Sequence, residues 1–416
     1  MAEITTPWAK KRDSKPLHSL CSYLGAFPPS LANYFIKHFT KEGELVFDPF
    51  SGRGTTLLES RILNRNSIAS DLNPIALALS RAKSHNLNLD TILNRIDDLE
   101  NDYDYALFLP EAKAQMDEIH LIFHPRTLAE LCYLRLVLLN SINEVDDYII
   151  GAILGIMHGG ERKDGSSGYL SISMPNTFSM SPEYVRRFVQ TNQLNREYRN
   201  VFQILREKTM RMFQNQTYPS INSNVYACDA KFASNHPQLK TNLGKVKLIL
   251  TSPPYLGIVN YAKQNWIRSW FLDADPIKVS ASLDDDLNLF EWVEFSKKSL
   301  IEFKKFLAPD GVAVLVIGDV AKSKNSVIPL AREFSSMVKE NKLFKNVWVY
   351  SDYIQGTDKT TRIWGDTKGK ATATDRIVIL SDVNPFINNS NLGSNLFLTN
   401  DLITESTKQF LGESLI

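Results

Sequence analysis

Residues 44–71 read ELVFDPFSGRGTTLLESRILNRNSIASD. The apolar run ELVFDPF (44–50) predicts a buried strand that runs into a loop. RGTTLLESRIL (53–63) predicts a helix, NSIASDLNP (66–74) a second strand and its exit, and PIALALSRAKS (74–84) a second helix. A strand–helix–strand–helix order implies a parallel sheet with crossover helices, because parallel neighbours cannot be joined by a tight hairpin. Gly52 and Gly54 permit a sharp turn and a close approach of a ligand to the backbone. The helix N-terminus behind them favours an electron-rich group, and ligands of such sheets bind at the carboxyl ends of the strands.

The same pattern resumes far downstream. SNVYACDA (223–230), VKLIL (246–250), GVAVLVIGD (311–319), NVWVYSDYI (346–354) and DRIVILS (375–381) each read as a strand, giving about seven in two blocks. Between the blocks, from about 88 to 218, ALFLPEAKAQMDEI, RTLAELCYLRLVLLNSI and VDDYIIGAILGIM carry apolar residues at helical spacing. The Gly-, Ser- and Pro-rich stretch 161–184 predicts an irregular loop, and Ser181-Pro182 an N-cap and first helical residue. A length of 416 residues accommodates two or so domains, or one core with a large insertion.

Composition narrows the function classes. A net charge of +1 does not describe a uniformly basic protein, so a nucleic-acid partner needs a local basic patch. Cys21, Cys132 and Cys228 have no CxxC neighbour, which gives no zinc or redox motif and fits a reducing, cytoplasmic setting. The first residues, MAEITTPWAKKRD, lack an apolar signal core, and YIIGAILGIM (148–157) is too short to span a bilayer. No internal repeat is evident.

Two motifs carry chemistry. In DPFSGRGTT (48–56), the glycine loop is followed by Asp71, 17 residues after Gly54. An acid there can accept both hydroxyls of a ribose, or it can cap the helix that begins at NPIALAL. A nicotinamide dinucleotide competes as ligand, but Thr55, Thr56 and Leu57 follow Gly54, so the third glycine of that fingerprint is missing. There is no phosphate loop of the nucleotide-triphosphatase kind. In TSPPY (251–255), Ser252 and the carbonyl of Pro253 can each accept a hydrogen bond from an exocyclic amine. Two prolines make the loop rigid, and Tyr255 offers a face on which a base can stack. The competing account is a Pro-Pro turn at a strand end. No covalent nucleophile is present in the motif, so proximity, orientation and electrostatic preorganisation would do the work.

The pairing of DPFSGRGTT with TSPPY resembles the S-adenosylmethionine-dependent DNA amino-methyltransferases, which make N4-methylcytosine or N6-methyladenine. The resemblance covers roughly residues 17–85 and 223–381. It implies an α/β, Rossmann-like methyltransferase with a mostly parallel seven-stranded sheet and a large, mainly helical insertion. It implies S-adenosylmethionine bound by Asp48, Pro49, Phe50, Gly52, Gly54 and Thr55 of the glycine loop. Asp71 would hold the ribose, Asp229 the adenine amine, and Phe27 and Pro28 of AFPPSLANYFI the methionine end. Ser252, Pro253, Pro254 and Tyr255 would form the catalytic loop, and YAKQNWIRSWFL (261–272) resembles the helix that follows it. The family flips its target base out of the duplex. Serine ahead of Pro-Pro favours cytosine N4 over adenine N6. Cytosine C5 chemistry is disfavoured, since it needs a cysteine after a proline and none of the three is so placed.

Asp229 lies 158 residues after Asp71, far more than one crossover requires, so the insertion falls before the third strand. Family members with this motif order usually insert one strand later. The resulting expectation is a catalytic domain over 1–87 and 219–383, a target-recognition insertion over 88–218, and a peripheral tail over 384–416. Residues 183–211 hold seven Lys/Arg against three Glu, interleaved with aromatics, a pattern that fits either phosphate contact through Arg186, Arg187, Arg196 and Arg199 or a solvated amphipathic helix. Lys370 and Thr374 are further candidates for contact with the flipped nucleotide. The partners implied are double-stranded DNA and, as a separate chain, a restriction endonuclease. No metal site and no membrane contact are expected. An RNA or protein-glutamine amine methyltransferase, or a non-catalytic DNA-binding module, are the competing functions.

Overall fold

The computed structural model describes residues 15–385 apart from 24, 163, 175–180, 255, 257–264, 285, 324–325 and 354–370. The alternating block at 44–71 forms strand β1 (Leu45–Asp48), helix α2 (Thr55–Ile62) and strand β2 (Asn66–Asp71), preceded by helix α1 (Pro29–Phe39). Helix α3 (Pro74–Arg81) follows, with Asn73 as its N-cap and Pro74 in its first turn. The remaining strands are β3 (Ser223–Ala227), β4 (Val246–Thr251), β5 (Leu307–Ser323), β6 (Ser326–Ile328), β7 (Asn346–Tyr353) and β8 (Ala371–Ser381). They make one sheet of order β3-β2-β1-β4-β5-β8-β7, with β6 paired to β5.

The first five strands are parallel, and β6, β7 and β8 pair antiparallel. The sheet therefore has one more strand than the sequence predicts, the three-residue β6, which lacks the length to show a periodic signal. The chain runs outward from β1 through β2 to β3, then returns to lay β4 on the other side of β1. The loops after β1 and β4 thus leave the same sheet edge at the point where the winding reverses.

The two faces of the central strands separate by the period of a strand. Val46, Leu248, Leu250, Val312 and Val314 pack against Phe35 and Ile36 of α1. Their neighbours Phe47, Ile249, Ala313 and Leu315 pack against helices α13 (Leu289–Phe306) and α14 (Leu330–Glu340) through Phe303, Phe306 and Phe334. With both faces covered, these strands are apolar throughout.

Among the described residues, seven helices lie between α3 and β3: α4 (Leu89–Asn101), α5 (Tyr105–Lys113), α6 (Asp117–Ile122), α7 (Pro125–Leu139), α8 (Glu144–Ile156), α9 (Pro182–Asn192) and α10 (Val201–Phe213). Their core is continuous with Leu58 of α2, Ile75 and Leu79 of α3, and Trp266 and Phe271 of α11 (Trp266–Phe271). Helix α12 (Pro276–Ser282) follows α11. Although so many helices intervene, β3 pairs with β2 in register, Asp71 opposite Ala227. The expected single basic helix over 183–211 is broken. Gln193 ends α9 in a left-handed conformation at φ 47°, and α10 begins only at Val201. The loop 164–174 packs inward, with Leu170, Ile172 and Met174 buried in the helical core.

Helix α8 presses on the segment between the 3-10 turn Pro16–Ser19 and α1. A Cβ on Gly155 would lie 1.9 Å from the Leu20 carbonyl oxygen, which leaves no room for a side chain. Gly155→Ala is expected to destabilise the fold by about 2 kcal/mol or more, since overpacking against backbone costs roughly 1–3 kcal/mol. Thermal unfolding measures this, and an unchanged midpoint would mean that α8 does not seat there.

Candidate functional site

The glycine loop owes its shape to two residues with positive φ. Gly52 sits at φ 49° and Gly54 at φ 73°, a region that side chains bearing Cβ disfavour. Gly54 is the N-cap of α2, and a Cβ there would lie 3.1 Å from Ser80 Oγ. The turn brings the Gly52 N–H to Asp71 Oδ2 at 3.0 Å, while Asn73 N–H donates to Oδ1 at 2.9 Å. Each carboxylate oxygen of Asp71 thus accepts one backbone bond and keeps a second lone pair for a ligand. Capping of α3 falls to Asn73, whose Oδ1 accepts from Ile75 N–H at 3.0 Å. Of the two roles the sequence offers Asp71, the cap of α3 is taken by Asn73.

Asp48 ends β1 and is buried. Thr251, at the end of β4, donates its hydroxyl to Asp48 Oδ1 at 2.6 Å, and Phe50 N–H donates to the same oxygen at 3.2 Å. Thr56 Oγ1 donates to the Leu250 carbonyl at 3.1 Å. These bonds join the loop after β1 to the loop after β4. Burial pushes the Asp48 carboxyl up to about 6, against the pull of its hydrogen bonds.

In the Ser-Pro-Pro loop, Ser252 donates its hydroxyl to the Val316 carbonyl of β5 at 2.9 Å. With its proton directed there, Oγ faces any further partner as an acceptor. Trp292, fully buried in α13, donates its indole N–H to the Pro254 carbonyl at 2.7 Å. No donor among the described residues reaches the Pro253 carbonyl. Tyr255 and Lys370 lie outside the described residues. Thr374 falls in β8, opposite Tyr353 of β7.

One cavity collects these groups. Phe27, Asp48, Pro49, Phe50, Gly52, Thr55, Asp71, Asp229, Ser252, Pro253 and Pro254 all line it, and its empty volume is about 890 Å³ with the open mouth included. Asp229 reaches it because β3 ends beside β2, and it caps the 3-10 turn Ala230–Asn235 by accepting from Lys231 N–H at 2.9 Å. Pro28 and Gly54 do not reach the wall: Pro28 is the exposed N-cap of α1, and Gly54 turns its back on Ser80. Sequence reasoning missed Tyr23, Cys228, Asp284 and Phe295, which line the cavity, and Trp292, which holds its loop. These come from segments whose approach depends on tertiary packing. Asn73 alone had a legible signal, a capping residue ahead of proline. Among the described residues, no group of three or more His, Cys, Asp or Glu is placed to hold a metal.

The four arginines assigned to DNA stand in the helical insertion and do not line the cavity. Arg186 pairs with Glu118 at 2.8 Å, Arg187 lies 4.0 Å from Glu183, and Arg196 donates to the His120 carbonyl. Arg199 is largely buried and donates to the carbonyls of Tyr169 and Ser171 and to Glu161. Two other cations of the basic stretch are also engaged: the half-exposed Arg206 pairs with Asp97 and Glu100, and the buried Lys208 donates to the Ser19 carbonyl at 2.9 Å. The local excess of charge is therefore smaller at the surface than in the sequence.

A family model described as DNA methylase, for N6/N4 methyltransferases, matches residues 2–81. Type II methyltransferase M.MjaII of Methanocaldococcus jannaschii is 24% identical over 418 residues, covering 79% of this chain and 78% of its own. Among solved structures, the rRNA methyltransferase AviRa of Streptomyces viridochromogenes is 12% identical with a TM-score of 0.35, over 90% of this chain and 95% of its own. A TehB-like S-adenosylmethionine-dependent methyltransferase of Corynebacterium glutamicum is 6% identical with a TM-score of 0.28, over 84% of this chain and 86% of its own. These structural likenesses are too weak to add to the argument. The family-model match over residues 2–81, the M.MjaII alignment and the two motifs on one cavity support a likeness to the N4/N6 DNA amino-methyltransferases, and with it S-adenosylmethionine as the cofactor.

Proposed function

We propose that the chain transfers a methyl group from S-adenosylmethionine to the N4 amine of cytosine in duplex DNA. The observation that carries this reading is the orientation of Ser252, whose proton is directed to Val316. Its oxygen then accepts one N–H of the target amine and the Pro253 carbonyl accepts the other. The amine lone pair is turned toward the methyl donor. The cofactor supplies an electrophilic methyl carbon on a sulfonium. The nitrogen–carbon bond forms as the carbon–sulfur bond breaks, and the amine proton leaves to solvent. No covalent enzyme intermediate is needed. Cys228, the one cysteine on the cavity wall, is pushed up to about 11 by burial and by Asp229, which keeps it from acting as a thiolate.

The cavity suits this cofactor in charge. Asp48, Asp71, Asp229 and Asp284 line it, and a negative wall favours a sulfonium. In this reading Asp71 takes the ribose, Asp229 and Phe295 the adenine, and Asp48 the field at the reacting end. Phe27, Pro49, Phe50, Gly52 and Thr55 shape the wall. An amine paired inside a duplex cannot reach Ser252, so the base must swing out. The insertion over 88–218 serves target recognition, with the exposed Arg186 and Arg187 of α9 toward phosphate. The relative M.MjaII is named a Type II methyltransferase, and a separate endonuclease partner is part of this proposal only.

Asp48 separates function from stability. Its carboxyl titrates at about 6 in the folded chain and at 3.8 ordinarily. The folded state therefore holds a proton that the unfolded state lacks between those values. Its stabilising contribution is fully present below 3.8 and is lost as pH rises to about 6. Asp48→Asn is expected to raise stability at pH 7.5 by up to about 3 kcal/mol and to weaken S-adenosylmethionine at least tenfold. Calorimetry of unfolding and of binding checks both, and unchanged affinity would remove Asp48 from the site.

Nucleoside mass spectrometry of DNA from cells expressing the chain tests the base. N4-methylcytosine is expected, with loss of at least about a hundredfold in Ser252→Ala and cofactor affinity within about threefold. N6-methyladenine would overturn the choice of base. Full activity in Ser252→Ala would overturn the role of the loop.

A further inference from the structure

Arg53 stands between the two glycines and is the single basic residue on the cavity wall among the described residues. Its Nε donates to Thr55 Oγ1 at 3.2 Å. Among the described residues its terminal nitrogens have no hydrogen-bond partner, and no carboxylate forms an ion pair with it. The environment is dry enough that burial lowers the guanidinium from its ordinary value. Arg53 is half-buried and its terminal nitrogens open into the cavity, where a guanidinium with no acid of its own can pair with an anion from outside the chain. Four carboxylates line the same cavity, yet none is bonded to it: Asp71 is held by Gly52 and Asn73, Asp48 by Thr251, and Asp229 and Asp284 by Lys231. The wall has a built-in place for an anion that the chain itself does not supply.

The position of Arg53 says which part of a ligand meets it. Its charge acts on His18 and Lys83, on the side of the 3-10 turn Pro16–Ser19, and Tyr23 packs beside Gly52 at 3.5 Å from where a Cβ would stand. Asp229, Asp284 and Phe295 line the same cavity beyond Asp71, where Lys231 joins the first two. With the ribose at Asp71 and adenine toward Asp229, the amino-acid end of S-adenosylmethionine falls on the Arg53 side. We infer that Arg53 binds the α-carboxylate of the cofactor through its planar fork, and so selects for a ligand that carries this carboxylate. A guanidinium matches a carboxylate in a bidentate pair better than an ammonium does. The Lys83 ammonium, which donates to the Arg53 carbonyl, fixes the backbone from which the fork extends.

This inference rests on the cofactor reading, and calorimetry with two ligands separates the two. S-adenosylhomocysteine and its decarboxylated analogue share adenine, ribose, thioether and amine. Wild type is expected to prefer the first by about 10- to 100-fold, the range of a charged hydrogen-bonded pair. In Arg53→Met this preference should fall to less than about threefold, with the decarboxylated analogue bound as in wild type; Arg53→Lys should restore part of it. Equal weakening of both ligands in Arg53→Met and Arg53→Lys would make Arg53 a scaffold of the loop and overturn the inference. An unchanged carboxylate preference with weaker DNA binding would assign the fork to a backbone phosphate instead. Binding of neither ligand by folded wild type would overturn the cofactor reading itself.

Discussion

The hydrogen bond from Thr251 to Asp48 is the constraint on which the site depends. It lies at the reversal of the sheet, where β1 is flanked by β2 on one side and β4 on the other. A 2.6 Å bond to a buried carboxylate is strong and directional. It sets the distance between the glycine loop, which turns after β1, and the Ser-Pro-Pro loop, which leaves β4. The bond from Thr56 to the Leu250 carbonyl repeats the tie one step deeper. The cost is a carboxylate kept out of water, which lifts its proton affinity. That cost is understandable where a cavity must present negative potential to a cation.

The second loop is held from the other side of the sheet. Trp292 fixes Pro254 from α13, and the Val316 carbonyl of β5 accepts a hydrogen bond from Ser252. The loop is thus anchored at both Ser252 and Pro254, so the Pro253 carbonyl between them points where backbone geometry puts it. Rigid acceptors spare the entropy that a mobile loop would lose on binding an amine. Helix α13 is itself well started: Asn288 and Glu291 form a reciprocal capping box at its N-terminus.

Much of this was legible in the sequence, for a physical reason. The motifs DPFSGRGTT and TSPPY sit at strand ends, where local turn chemistry and function coincide. Positive φ at Gly52 and Gly54, the acid ending β2 and the proline pair are all local properties. Asp229 was legible through its strand, and the in-register pairing of β3 with β2 explains how 158 residues can intervene without moving it. What the sequence hid depends on packing. Nothing local marks Trp292 or Phe295 as neighbours of loops that precede them. Charge counting in the arginine-rich stretch overlooks burial and pairing: Arg199 and Lys208 donate to backbone carbonyls, and Arg206 pairs with Asp97 and Glu100. Helix α8 shows the same limit, since only the contact with Leu20 reveals why Gly155 has no side chain.

The central claim is that one cavity at the sheet reversal holds S-adenosylmethionine with its reacting end against the Ser-Pro-Pro loop. A crystal structure of the chain with S-adenosylhomocysteine tests it most directly. The account predicts the ribose hydroxyls on Asp71, the adenine toward Asp229 and the sulfur facing Ser252 and Pro253. A ligand bound elsewhere, or with its sulfur turned away from that loop, would contradict it.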